Sequence, residues 1–191
     1  MLVRTTAVIL ATLVAGAAFA APETYTVDPM HTIPVYEVNH LGFSTQRGRF
    51  NKVSGTIVFD RTAHTVAADI SIDVNSLSTG IEKLETHLKS EDFFDAAKYP
   101  TLTFKSTGAK FDGDRLVSVA GNLTMRGVTR PVTLTVTAFH CGFNPVYKKD
   151  ECGADATTVV KRSDFGISYG IPAVGDEVKL LIPVEAHKAT P

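Results

Sequence analysis

The chain has 191 residues, with 19 Lys and Arg against 20 Asp and Glu and a formal net charge of −1. That near balance excludes both the basic stripe that meets nucleic-acid phosphates and the Lys/Arg cluster that holds a protein on an anionic membrane. Only two cysteines are present, Cys141 and Cys152, enough for one disulfide that pins a loop but not for a disulfide-built fold.

Arg4 precedes an uncharged apolar run from Ala7 to Phe19, which ends in Ala18-Phe19-Ala20, the pattern of a signal-peptide cleavage site. The run is shorter than the roughly 20 residues that cross a bilayer as a helix, and Pro22 with Glu23 stops it. Residues 1–20 are therefore expected to be a removed leader. Residues 21–191 remain as one domain of about 170 residues, periplasmic or secreted. Thiols pair in such an oxidising compartment, so a Cys141–Cys152 disulfide is expected.

Beyond the leader, β-rich runs recur between turn signals. Thr24–Val27, Val35–His40, Val53–Phe59 and Val66–Val74 come first, then Thr101–Ser106, Leu116–Met125, Val132–His140, Thr157–Arg162 and Val178–His187. Apolar residues often take every second place, as in Val66, Ala68, Ile70, Ile72, Val74 and in Val132, Leu134, Val136, Ala138, so each strand carries one buried face. Asp60-Arg61-Thr62-Ala63, Asp112-Gly113-Asp114 and Arg126-Gly127-Val128-Thr129 are short connections that suit antiparallel neighbours. Ile81, Leu84 and Leu88 instead follow helical spacing, which predicts one helix over Ile81–Ser90. The fold expected is all-β, a closed barrel or a sandwich, with a single helix.

Catalytic patterns are sparse. The six histidines, His31, His40, His64, His87, His140 and His187, form no close metal-ligand motif, and no metal site is expected from their spacing. Ser168 sits in Gly166-Ile167-Ser168-Tyr169-Gly170, which satisfies G-x-S-x-G in letters. That motif works only at a strand–elbow–helix turn, and Pro172 follows here. Asp92 with Asp95 and Asp112 with Asp114 read as a helix cap and a turn. Arg162 with Asp164 reads as a buried or rim ion pair. Binding is favoured over catalysis, with no cofactor.

Separated segments together resemble the YceI-like family. They are Tyr25 to His31 (YTVDPMH), His40-Leu41-Gly42 with Gly48-Arg49-Phe50, Gly55 with Phe59-Asp60, and His87-Leu88-Lys89-Ser90 running into Asp92-Phe93-Phe94-Asp95. Tyr99-Pro100 with Phe104, Gly121-Asn122-Leu123 with Gly127-Val128-Thr129, and Arg162-Ser163-Asp164-Phe165-Gly166 complete the set in the family's order. The resemblance implies a lipocalin-like antiparallel β-barrel of about eight strands with a helix packed against it. It also implies an apolar interior that binds a polyisoprenoid lipid, such as an isoprenoid quinone or prenyl diphosphate. Exchange of that lipid would bring transient membrane contact. The segment from Cys141 to Cys152 is an insertion-like loop on this reading.

The side chains expected to line the interior are Tyr36, Val38, His40, Ile70, Ile72, Leu102, Phe104, Val119, Leu123, Leu134, Val136, Leu180 and Ile182. They follow one alternation of each strand, although a period of two does not say which face turns inward. Phe93 and Phe94 are expected to pack the helix onto the barrel. Two other readings stay open on sequence alone: a structural or stress-related barrel without a dedicated ligand, and a small esterase using Ser168.

Overall fold

A computed structural model describes residues 21–190; the expected leader lies outside them. Eleven strands form in chain order: β1 (Glu23–Val27), β2 (Val35–His40), β3 (Ser44–Phe50), β4 (Val53–Asp60), β5 (Thr65–Asp73), β6 (Leu77–Ser78), β7 (Thr101–Asp112), β8 (Arg115–Met125), β9 (Val128–Asn144), β10 (Lys149–Lys161) and β11 (Val174–Lys188). The helix α1 (Glu82–Lys89) stands between β6 and β7, and short 3-10 turns cover Val74–Ser76 and Arg162–Phe165.

Every strand pairs antiparallel with its neighbours, in the order β1, β4, β5, β7, β8, β9, β10, β11. The pairing of β11 with β1, through Thr26 opposite His187, closes this into an eight-stranded barrel. Strand β2 lies along the same edge of β11 farther from its end, with Val38 opposite Val178 and Val35 opposite Leu181. It carries β3 and β6 outward as an extension. Backbone hydrogen bonds from Asn51 to Ser76 (3.1 Å) and from Asp73 to Lys52 (3.0 Å) tie that extension back to the barrel.

Local chemistry sets the hairpins. Asp60 Oδ1 accepts from the amides of Thr62 and Ala63 at 2.9 and 2.7 Å, shaping the β4–β5 turn. Arg126 and Gly127 both adopt positive φ (52° and 73°), as the twist-matched two-residue hairpin requires between β8 and β9.

The turns sort the barrel into two ends. The β4–β5, β7–β8 and β9–β10 turns lie at one; α1, the β8–β9 turn and the chain between β10 and β11 lie at the other. The first end is closed by Tyr25, Phe59 and Ala186, all at least 95% buried. Phe59 stacks on Phe111 at 6.1 Å between ring centroids and meets Phe139 edge-on at 5.7 Å.

One expectation is corrected, and one strand was missed. Residues Cys141 to Cys152 are no loop insertion: β9 and β10 continue as a paired hairpin, with Cys141 directly opposite Cys152 and bonded to it. Asn144 Oδ1 shapes its tip by accepting from the amides of Val146 and Tyr147 at 2.9 and 3.2 Å. Gly142, Pro145 and the charges of Lys148 to Glu151 hide this strand pairing from a composition-based reading, but β11 pairs with β10 there and fixes it extended. Strand β3, rich in Ser, Thr, Gln and Arg, also escapes that reading; cross-strand contacts such as Arg47 to Glu37 at 2.7 Å hold its outer face.

Candidate ligand-binding cavity

Inward-facing side chains leave a cavity of about 680 Å³ inside the barrel, within the range typical of small-molecule sites. All the residues expected to line an interior do line it: Tyr36, Val38 and His40 on β2; Ile70 and Ile72 on β5; Leu102 and Phe104 on β7; Val119 and Leu123 on β8; Leu134 and Val136 on β9; Leu180 and Ile182 on β11. Val66 and Ala68 extend the wall by the alternation already visible in β5. Ala138 does not. A bulge in the β9–β10 register, between Asp155 and Ala156, reverses the alternation, so Ala138 turns out to solvent and Phe139 turns in.

Close glycines make room for the large inward rings. A Cβ on Gly48 would sit 2.4 Å from the Tyr36 hydroxyl oxygen, and one on Gly121 would sit 2.4 Å from the Phe104 ring. These strand glycines act as troughs in which the aromatic side chains lie. Burial, with the charge of Glu85 adding to it, pushes the Tyr36 hydroxyl up to about 12, so it stays a neutral phenol at physiological pH.

The closed end forms the cavity floor through Tyr25, Phe59, Phe139 and Ala186. The exposed lining residues are Gln46, Arg47 and Tyr169, which place the mouth beside β3 and the chain that follows β10. Leu84 and Leu88 of α1 and the Phe93–Phe94 pair complete the wall here. Phe94 packs edge-on against Phe50 at 5.6 Å, while Phe93 contacts His87 and Tyr169 at 5.0 and 5.4 Å. The pair thus packs the helix, the reading favoured from the sequence, and also lines the cavity, the alternative to it. No residue of α1 is fully buried, which marks it as a cover held by few contacts.

One buried charge lies in this apolar wall. Arg162 is only 6% exposed, and its guanidinium donates to the carbonyls of Gly175 (2.8 Å), Val174 (3.0 Å) and Ile167 (3.3 Å). The expected pairing with Asp164 is not formed: Asp164 is exposed and makes no salt bridge among the described residues. Burial lowers the pKa of Arg162, a trend that the charge of Asp176 opposes, yet a guanidinium stays protonated in proteins. Three of its five N–H groups serve the carbonyls, leaving two for another acceptor. Sequence reasoning singled out Arg162 but not its partners, because backbone carbonyls leave no signature in a sequence.

Ser168 lies in irregular chain that runs into β11, not in an elbow before a helix, and no histidine or carboxylate among the described residues hydrogen-bonds its hydroxyl.

These features define a lipocalin-like barrel with an apolar interior, a sealed floor and a mouth under a helix. The family model for a YceI-like domain matches residues 25–186, and the chain belongs to that family. A UPF0312 protein of Pseudomonas aeruginosa is 35% identical over 172 residues, covering 90% of this chain and 89% of that protein. Among solved structures, Burkholderia cenocepacia BcnA superposes with a TM-score of 0.72 at 27% identity, over 86% of this chain and 99% of that one. A domain from Saccharophagus degradans, described as a polyisoprenoid binding domain implicated in plant cell wall breakdown, shares the fold with a TM-score of 0.64 at 18% identity, over 86% and 98% of the two chains.

Proposed function

We propose that this protein is an exported carrier that holds one polyisoprenoid lipid, an isoprenoid quinone or a prenyl diphosphate, inside the barrel for transport or storage, and catalyses no reaction. The observation that carries the reading is the cavity wall, apolar from Tyr25 and Phe59 at the floor to Leu84 and Leu88 near the mouth, with Arg162 as its one buried charge. A fold neighbour described as a polyisoprenoid binding domain supports it. Export is supported by the Ala7–Phe19 run with its Ala18-Phe19-Ala20 cleavage pattern, and by the Cys141–Cys152 disulfide, a bond that persists in oxidising compartments.

Magnitudes favour exchange over irreversible capture. At about −0.3 kcal/mol per heavy atom, a prenyl chain of about 40 carbons has a ceiling near −12 kcal/mol against water, which is nanomolar affinity. In a bilayer the chain already lies in hydrocarbon, so transfer to the cavity gains little. Such a protein takes up and releases lipid at membranes during transient contacts.

On this reading the two spare N–H groups of Arg162 donate to a diphosphate or a quinone carbonyl. The test is a thermal titration of the purified protein with a long-chain quinone and with a prenyl diphosphate. Either ligand should raise the melting temperature in a concentration-dependent way. Replacing Arg162 with Met should weaken diphosphate binding by about tenfold to a hundredfold, the worth of a hydrogen bond to a charged group, and quinone binding by less. No shift with either lipid sinks the carrier reading and leaves a barrel without a dedicated ligand. Loss of hydrolysis of a simple ester in Ser168→Ala would overturn the non-catalytic part.

A further inference from the structure

On β11, Val184 and Ala186 face the cavity, so Glu185 and His187 point to the outer wall. There they meet Asp28 and His31, which follow β1, and Glu151 of β10, opposite His187 in register. Linear spacing gave no metal motif, because the partners of Asp28-Pro29-Met30-His31 come from the far end of the chain.

The side-chain atoms converge. His31 Nδ1 lies 2.6 Å from Asp28 Oδ2 and 3.5 Å from Glu185 Oε2, and His187 Nε2 lies 3.4 Å from Asp28 Oδ2. Ligand atoms of Asp28, His31 and Glu185 all fall within 4.8 Å of one another. A tetrahedral zinc with ligands at about 2.0–2.2 Å places them about 3.4 Å apart; the His31–Glu185 and His187–Asp28 separations already match, the Asp28–His31 hydrogen bond must open, and His187, outside the group of three, must draw in toward His31 and Glu185. Asp28 is 5% exposed, and its other oxygen accepts from the Met30 amide at 2.8 Å, which fixes the carboxylate. Thr32 anchors Glu185 by exchanging hydrogen bonds with its backbone.

His187 turns Nε2 toward Asp28, while its buried Nδ1 makes no hydrogen bond and lies 3.6 Å from Glu151 Oε2, which puts Glu151 behind the ring. One further observation points to a cation. Asp28, Glu185 and Glu151 crowd together with no Lys or Arg in salt-bridge contact with any of them among the described residues.

We propose that Asp28, His31, Glu185 and His187 form a zinc site on the outer wall, with Glu151 behind His187, joining the chain after β1 to β10 and β11. Its mixed nitrogen and oxygen donors suit zinc over calcium or magnesium. The site is separate from the cavity, so its test does not depend on lipid binding. The full protein, carrying no affinity tag and stripped with a chelator, is titrated with zinc chloride by calorimetry and thermal melting.

The expected result is saturable binding of one zinc per chain, a melting temperature that rises with zinc, and affinity at least about tenfold weaker in both His31→Gln and His187→Gln. His31 is 45% exposed, so its replacement tests the site without endangering the core. No saturable heat and no thermal shift, or zinc binding unchanged in both variants, would overturn the proposal.

Discussion

The two ends of the barrel are built on different terms. The floor is made of fully buried rings, Tyr25 and Phe59, beside a cross-strand disulfide that packs against the same cluster. The mouth is made of half-buried pieces: α1 without one buried residue, the exposed ring of Tyr169, and a buried arginine tied to backbone carbonyls. On the proposed carrier reading, a ligand enters where opening is easy and stays where collapse is prevented, at opposite ends of the barrel. Stability at the floor and exchange at the mouth should therefore respond to different substitutions.

The largest expected effect lies midway. Ile72→Asp or Leu134→Asp puts a carboxylate into the apolar wall without a partner, a penalty of several kcal/mol divided between folding and lipid occupancy. Urea unfolding read beside lipid content separates the two. At the floor, Phe59→Ala should cost about 3–5 kcal/mol in urea unfolding, since its ring is 95% buried between Phe111 and Phe139. Phe104→Ala, higher in the wall, should cost a similar amount and also lower the retained prenyl lipid.

Replacing both Cys141 and Cys152 with Ser should lower stability by about 2.5–3 kcal/mol in the chain-entropy model. Equal unfolding midpoints with and without a reductant would contradict a stabilising crosslink at this end. At the mouth, Leu88→Ala should cost only about 1–2 kcal/mol but speed lipid exchange with vesicles. If it slowed exchange or left it unchanged, α1 would not be the cover.

The smallest effect is that of pH. Hydrogen bonds from Lys188 to Glu23, from Lys52 to Asp73 and from the Ser163 amide to Asp176 hold these carboxyls below their ordinary values. Their contribution is present above the unfolded carboxylate range and lost as pH falls from there through their lowered folded values. Glu185, whose carboxyl is raised, contributes in the opposite sense and is favoured at low pH. The melting temperature should decline modestly from about pH 5 to pH 3, with the lowered group outnumbering Glu185.

Much of the wall was legible because alternation is a local property. In β5 from Val66 to Ile72, and in β11 from Val178 to Ala186, the inward residues follow every second position, and the sequence pattern carries straight through to the cavity. Legibility failed where pairing, not composition, decides the structure. The bulge opposite Ala156 reverses β9, so Phe139 was missed and Ala138 misplaced. The polar β3 is a strand because β2 offers it a partner, and the Cys141–Cys152 hairpin is extended because β11 does the same for β10. The partners of Arg162 and the meeting of Asp28 with Glu185 depend on contacts between distant segments, which no local window contains.

A prenyl chain held in the apolar interior would travel with the protein through purification without added lipid, where native mass spectrometry detects it. The expected result is a bound species whose mass matches one isoprenoid quinone or prenyl diphosphate per chain, diminished in Phe104→Ala and retained in Ser168→Ala. Wild-type protein that carries no lipid, and that binds none after incubation with vesicles containing a long-chain quinone or a prenyl diphosphate, would contradict it.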